Sequence, residues 1–263
     1  MTPALLLATV LSAATAQAQS AQAVLETMYQ EYEAGVANID NYTLVEDISG
    51  HEIVTYMEKT VVDGRPVFRT PEGEGERTAG DVMWRLDSYA DHARLDGRET
   101  VEQRQCYVVV FEDIAALALE EGLESGQGDF RPTTGTFYID TDDYLVRKMV
   151  LEGEYEHQGA THTSTMVALL QDYRDVGGLS YPFRTVMTVQ GLPTGDMSEE
   201  DLEEARRSME EMKQQMAEMP ESQRAMMERM MKPQMERLEQ MLQGGALEFV
   251  TVVKDLKVNA GPP

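Results

Sequence analysis

Between Thr134 and Gly191 apolar and polar residues alternate with a period of two. Phe137 and Ile139 oppose Thr136, Tyr138 and Asp140. Tyr181, Phe183, Met187 and Val189 oppose Arg184 and Thr188. The stretch predicts two consecutive β-hairpins. The first sets GTFYID against YLVRKMVLEGEYE around Thr141-Asp142-Asp143. The second sets THTSTMVALLQDYRD against LSYPFRTVMTVQG around Val176-Gly177-Gly178. The arms are rich in β-branched and aromatic residues, and Asp and Gly supply the turn chemistry. Four long arms predict a broad antiparallel sheet. Its apolar face must be covered by helices or by a lipid. Arg147 shares the parity of Leu145, Met149 and Leu151, which predicts a place for it at a rim.

Elsewhere the period changes. Val24, Leu25, Met28, Tyr29, Tyr32 and Val36 recur at helical spacing, so Gln19 to Ile39 predicts an amphipathic helix. Asn41 to Glu46, Ile53 to Val62 and Pro66 to Thr70 predict strands, with turns at Ser49-Gly50 and Asp63-Gly64. Asp96-Gly97 reads as a turn feeding one long strand, Glu99 to Phe111. Asp113 is placed to cap a short helix, Ile114 to Glu121. Leu247, Phe249 and Val253 oppose Glu248 and Lys254 in a last strand, Leu247 to Val258. A loose tail, NAGPP, is expected after it.

Residues 198–243 differ in kind. Eleven of the eighteen methionines fall between Met197 and Met241. Leu202, Ala205, Met209, Met212, Met216 and Met219 alternate at three and four, the spacing of a helical seam. Pro220 stops that helix or opens a second one, which carries Met227, Met231 and Met235 and is kinked at Pro233. The expectation is a Met-rich α-hairpin inserted between two strands. Thioethers can bind copper, but no histidine lies in this segment, so a helical core, lid or docking arm is the better reading.

Composition narrows the partners. The net charge is −25, from 47 acidic and 22 basic residues, which disfavours nucleic acid and anionic lipid surfaces. The first eighteen residues are uncharged and end in Ala16-Gln17-Ala18, the form of a leader cleaved before Gln19. Cys106 is the only cysteine and reads as a small buried hydrophobe. His157 and His162 flank a turn without further ligands, and Asp140, Asp142 and Asp143 lack the glutamate of a calcium loop. No nucleophile, zinc or dinucleotide motif is present, so no enzyme, cofactor or metal is expected.

GTFYIDTDDYLVRKMVLEG, DYRDVGGLSYPFRTVMTVQG and the closing strand before KVNAGPP, behind a leader and an amphipathic helix, resemble the outer-membrane lipoprotein-sorting proteins, the LolA/LolB-like carriers. That resemblance implies an α+β fold. It would be an unclosed antiparallel β-barrel, with helices on its concave face and acyl chains held between. The domain would span 19–263, with 198–243 inserted. The implied function is a non-enzymatic periplasmic carrier of lipid or lipoprotein acyl chains, served by membrane-bound donor and acceptor proteins. By parity the cavity would be lined by Met57, Phe137, Ile139, Met149, Met166, Leu170, Phe183, Met187 and Phe249. The rival expectation is a protein-interaction module that docks through the Met-rich hairpin.

Overall fold

The computed structural model describes residues 19–48, 50–62, 64–71, 86–112, 114, 130–157, 160–191, 207 and 246–262. The expected leader, the expected Met-rich hairpin with Met209, Met212, Met216, Met219, Met227, Met231 and Met235, and the helix expected after Ile114 lie outside them. One helix, α1 (Ala21–Val36), precedes β1 (Asn41–Ile48), β2 (His51–Val62) and β3 (Arg65–Arg69). A 3-10 helix (Leu86–His92) leads into β4 (Ala93–Val101), β5 (Arg104–Glu112), β6 (Phe130–Asp140), β7 (Val146–His157), β8 (Ala160–Val176), β9 (Leu179–Gln190) and β10 (Leu247–Val258). The ten strands form one antiparallel sheet in the order β3-β2-β1-β10-β9-β8-β7-β6-β5-β4, whose edges β3 and β4 do not pair.

The helix shapes this sheet. Its buried residues fall in two groups. Ala21, Val24, Leu25 and Met28 pack with Tyr107, Val109, Phe111, Phe137, Ile139 and Leu170. Tyr32 and Val36 pack with Tyr42, Leu44, Met57, Phe68, Phe183 and Leu256. The helix thus touches both β3 and β4, at opposite edges. Laid flat, ten strands at about 4.8 Å spacing would hold those edges about 43 Å apart. A 16-residue helix is only about 24 Å long. One helix meets both edges because the sheet curves round it. The face toward α1 is the inner face of the sheet.

Local chemistry fixes the helix in place. Ser20 Oγ accepts from the Ala23 N–H at 3.1 Å and caps the first turn. Tyr107 Oη donates to Gln19 Oε1 at 2.6 Å, tying the start of the helix to β5. At the other end Lys59 Nζ donates to the carbonyls of Val36 (3.2 Å) and Ala37 (3.0 Å). Gly35 lies against Gly178 of the β8–β9 turn. A Cβ on Gly178 would stand 2.3 Å from the Gly35 carbonyl oxygen.

Two expectations are corrected. The chain reverses at Glu102-Gln103 and not at Asp96-Gly97, which is an irregularity inside β4. Glu102 and Gln103 both have positive φ, 46° and 72°, a backbone shape for which Asn-Gly is the usual signal. The tail after β10 is tied down and not loose. Asn259 Oδ1 accepts from Asp40 N (2.7 Å), its Nδ2 donates to Asn38 O (2.9 Å), and Gly261 N donates to Asn41 Oδ1 (3.0 Å).

Candidate functional site

Residues paired across an antiparallel sheet share a face, so the register assigns the inner face row by row. One row runs Phe111, Gly135, Leu151, Met166, Val189, Leu247 from β5 to β10. The next runs Val109, Phe137, Met149, Ala168, Met187, Phe249. Two rows of six positions, apolar throughout apart from the small Gly135, make a band across six strands. α1 and the 3-10 helix cover only part of it. Phe111, Phe137 and Val109 are closed off, whereas Leu151, Met149, Met166, Met187, Leu247 and Phe249 are half-buried.

All nine residues expected to line a cavity lie on this face, but in two environments. Met57, Phe137, Ile139, Leu170 and Phe183 are buried in the two cores beneath α1. Met149, Met166, Met187 and Phe249 stay half-buried and accessible. Leu151 and Leu247 complete the same patch, with the buried Val189 beneath it, and the expected lining omitted all three. Their strand parity was the available signal. The Phe111–Phe137 pair, edge to face with centroids 5.5 Å apart, anchors the closed end.

The expected rim position of Arg147 is also corrected. Tyr138 pairs with Lys148 but Ile139 with Val146, so Arg147 is the extra residue of a bulge. The bulge turns Val146 to the inner face and sends Arg147 elsewhere. Its side chain is 12% exposed and its Nε lies 3.0 Å from Asp140 Oδ2, while its Nη2 pairs with Asp143. Asp140 is fully buried and also faces Arg104 Nη1 at 3.4 Å. This ion pair fixes the β6–β7 turn.

Two cavities open beside that turn. One of about 330 Å³ is lined by Arg104, Arg147, Arg174, Asp143 and Asp172. Its arginines are matched by carboxylates, Arg174 to Asp172 at 2.5 Å. The other, about 310 Å³, lies between Met28, Tyr32 and Val36 of α1 and the turn at Asp142, Asp143 and Tyr144. Both sit at the turn end of the sheet, away from the apolar band. Cys106 is fully buried, and desolvation pushes its thiol up to about 11, so it is an inert packing residue.

Glu46 is the polar exception on the inner face. It follows Tyr42 and Leu44 in β1 at a period of two and pairs with Val253 and Ile53. Both Tyr42 and Leu44 belong to the core, as does Val253. Burial holds the Glu46 carboxyl above its ordinary value. Its neighbour Asp47, on the other face, is instead held low by the Gly50 N–H and by Lys254 Nζ at 3.2 Å.

No family model matches the chain, and no curated protein matches it. Among solved structures it is similar to a DUF1329 family protein from Desulfovibrio piger, at 11% identity and TM-score 0.39, over 91% of this chain and 95% of that one. It is also similar to an outer membrane lipoprotein-sorting protein domain from Vibrio parahaemolyticus, at 11% identity and TM-score 0.40, over 92% and 95%. Among the described residues no helix is long and apolar enough to cross a membrane.

Proposed function

We propose that this chain binds an acyl chain on its inner face and serves as an exported, non-catalytic carrier of lipid or lipoprotein. The carrying observation is the half-buried patch of Leu151, Met149, Met166, Met187, Leu247 and Phe249, continuous with a closed core. An acyl chain loses about 0.8 kcal/mol for every methylene left in water. A curved apolar band beside a packed helix offers a place to bury it. Methionine suits such a surface, because its flexible thioether adapts to ligands of varied length. Export through the leader would place the carrier in the periplasm, where membrane-bound donor and acceptor proteins would load and empty it.

The test is native mass spectrometry of the protein purified without detergent, with solvent extraction of the same sample. The expected result is a bound lipid or acyl species. Met166→Asp and Met187→Asp should each weaken its uptake about tenfold or more, which is at least about 1.4 kcal/mol. These two are chosen because they are half-buried; Phe183→Asp would break the core instead. A ligand-free mass that persists when lipids are offered would overturn the proposal.

A further inference from the structure

Glu46 stands where the alternation of β1 calls for an apolar residue, between Leu44 and Ile48. Its cross-strand partners on the inner face are Val253 and Ile53, and Tyr181 lies close enough to feel its charge. Tyr181 is half-buried, and its hydroxyl is held well above the usual phenol range, by desolvation first and by Tyr42 and Glu46 after it. No hydrogen bond or ion pair to Glu46 is made among the described residues. The nearby Lys254 is engaged by Asp47 on the opposite face. A half-buried carboxylate without a cation is costly, and such groups mark binding sites more often than surface acids do.

We propose that Glu46 is a specificity-determining residue of the inner face, and that it selects amphiphiles whose polar end is a cationic N–H donor. This rests on the acyl-binding reading above. Successive inner-face rows are about 7 Å apart. Glu46 and Val253 lie one row from Thr185, Thr251 and Ile48, and two from Met187 and Phe249. A chain lying along Phe249 and Met187 can therefore bring its head to the carboxylate. An ammonium head would supply the missing charge and donate a hydrogen bond, whereas an anionic head would be repelled in a poorly solvated site.

The experiment is calorimetric titration of the full mature protein with dodecylammonium, laurate and dodecanol at neutral pH. High salt screens the surface charge. Wild type should take dodecylammonium at least tenfold tighter than laurate. In Glu46→Gln that preference should shrink to about twofold while dodecanol binding is unchanged. Glu46→Met is the second variant, in case the amide disturbs packing. If both variants keep the wild-type preference while dodecanol still binds, Glu46 does not select the head and the acyl-binding reading survives. If wild type does not take up dodecanol, both proposals fall.

Discussion

At the scale of single residues, the inner face is decided by parity, and two residues show where parity misleads. Arg147 shares the parity of Met149 and Leu151 in the sequence, yet a one-residue bulge removes it from their face and gives it to Asp140. A bulge inserts one residue without a compositional mark, so alternation could not reveal it. Glu46 obeys parity and breaks the apolar rule, which is legible in the sequence only once β1 is known to face the core. Its titration has a definite sign. The native state holds the Glu46 proton more tightly than the unfolded chain, whose value is about 4.5. Stability is therefore highest below that value. It falls as pH rises from 4.5 through the folded value, because the native state must then carry a desolvated charge. Asp47 acts in the opposite direction, adding stability that is lost as pH falls through its depressed value. Urea unfolding of wild type and Glu46→Gln at pH 4 and pH 7 separates the two, since Asp47 is common to both. The stability of the Gln variant relative to wild type should rise between pH 4 and pH 7. A difference that stays flat would mean the Glu46 carboxylate is fully solvated.

At the scale of elements, the long hairpins β6–β7 and β8–β9 were readable because period and turn chemistry agree. The Gly177-Gly178 turn has φ of 64° and 102°, which glycine adopts without strain. The β4–β5 hairpin was misread because Glu102-Gln103 takes up a left-handed turn without glycine, while the glycine signal at Gly97 belongs to an irregularity. Gly178 carries a second duty that local chemistry does not announce, since it admits the Gly35 carbonyl of α1. Gly97 has a similar φ of 107°, but a Cβ added there would meet nothing within 4 Å, so it isolates the backbone cost. Gly97→Ala should lose about 1–2 kcal/mol, the cost of a left-handed L-residue. Gly178→Ala adds a backbone collision and should lose about 2–4 kcal/mol. Denaturant titrations with unchanged slopes would measure both. Equal losses would show that the α1–turn contact yields without cost.

At the scale of the whole molecule, one helix spans a curved ten-stranded sheet and divides its inner face into a closed part and an accessible part. By parity Phe137 and Met187 were expected to share a face, and the register sets them in one row. Parity could not tell that α1 would seal the first and leave the second half-buried, because that depends on where a 16-residue helix crosses the sheet. If the accessible part binds an acyl chain as proposed, ligand binding and folding become one equilibrium. An acyl chain seated on Met149, Met166, Met187 and Phe249 would extend the core from β5 and β6 across β7–β10, joining strands that α1 leaves partly uncovered. A ligand that binds only the folded state at a hundred times its Kd stabilises it by about 2.7 kcal/mol. For a domain of this size that raises Tm by roughly 5–11 °C. Thermal unfolding with and without dodecanol should show a shift of that order in wild type and little in Met187→Asp. The Glu46→Gln protein should shift as much as wild type with dodecanol and less than wild type with dodecylammonium. An acyl ligand that binds without raising Tm would have to sit on a surface that folding does not create, and the inner face would then be excluded as its site.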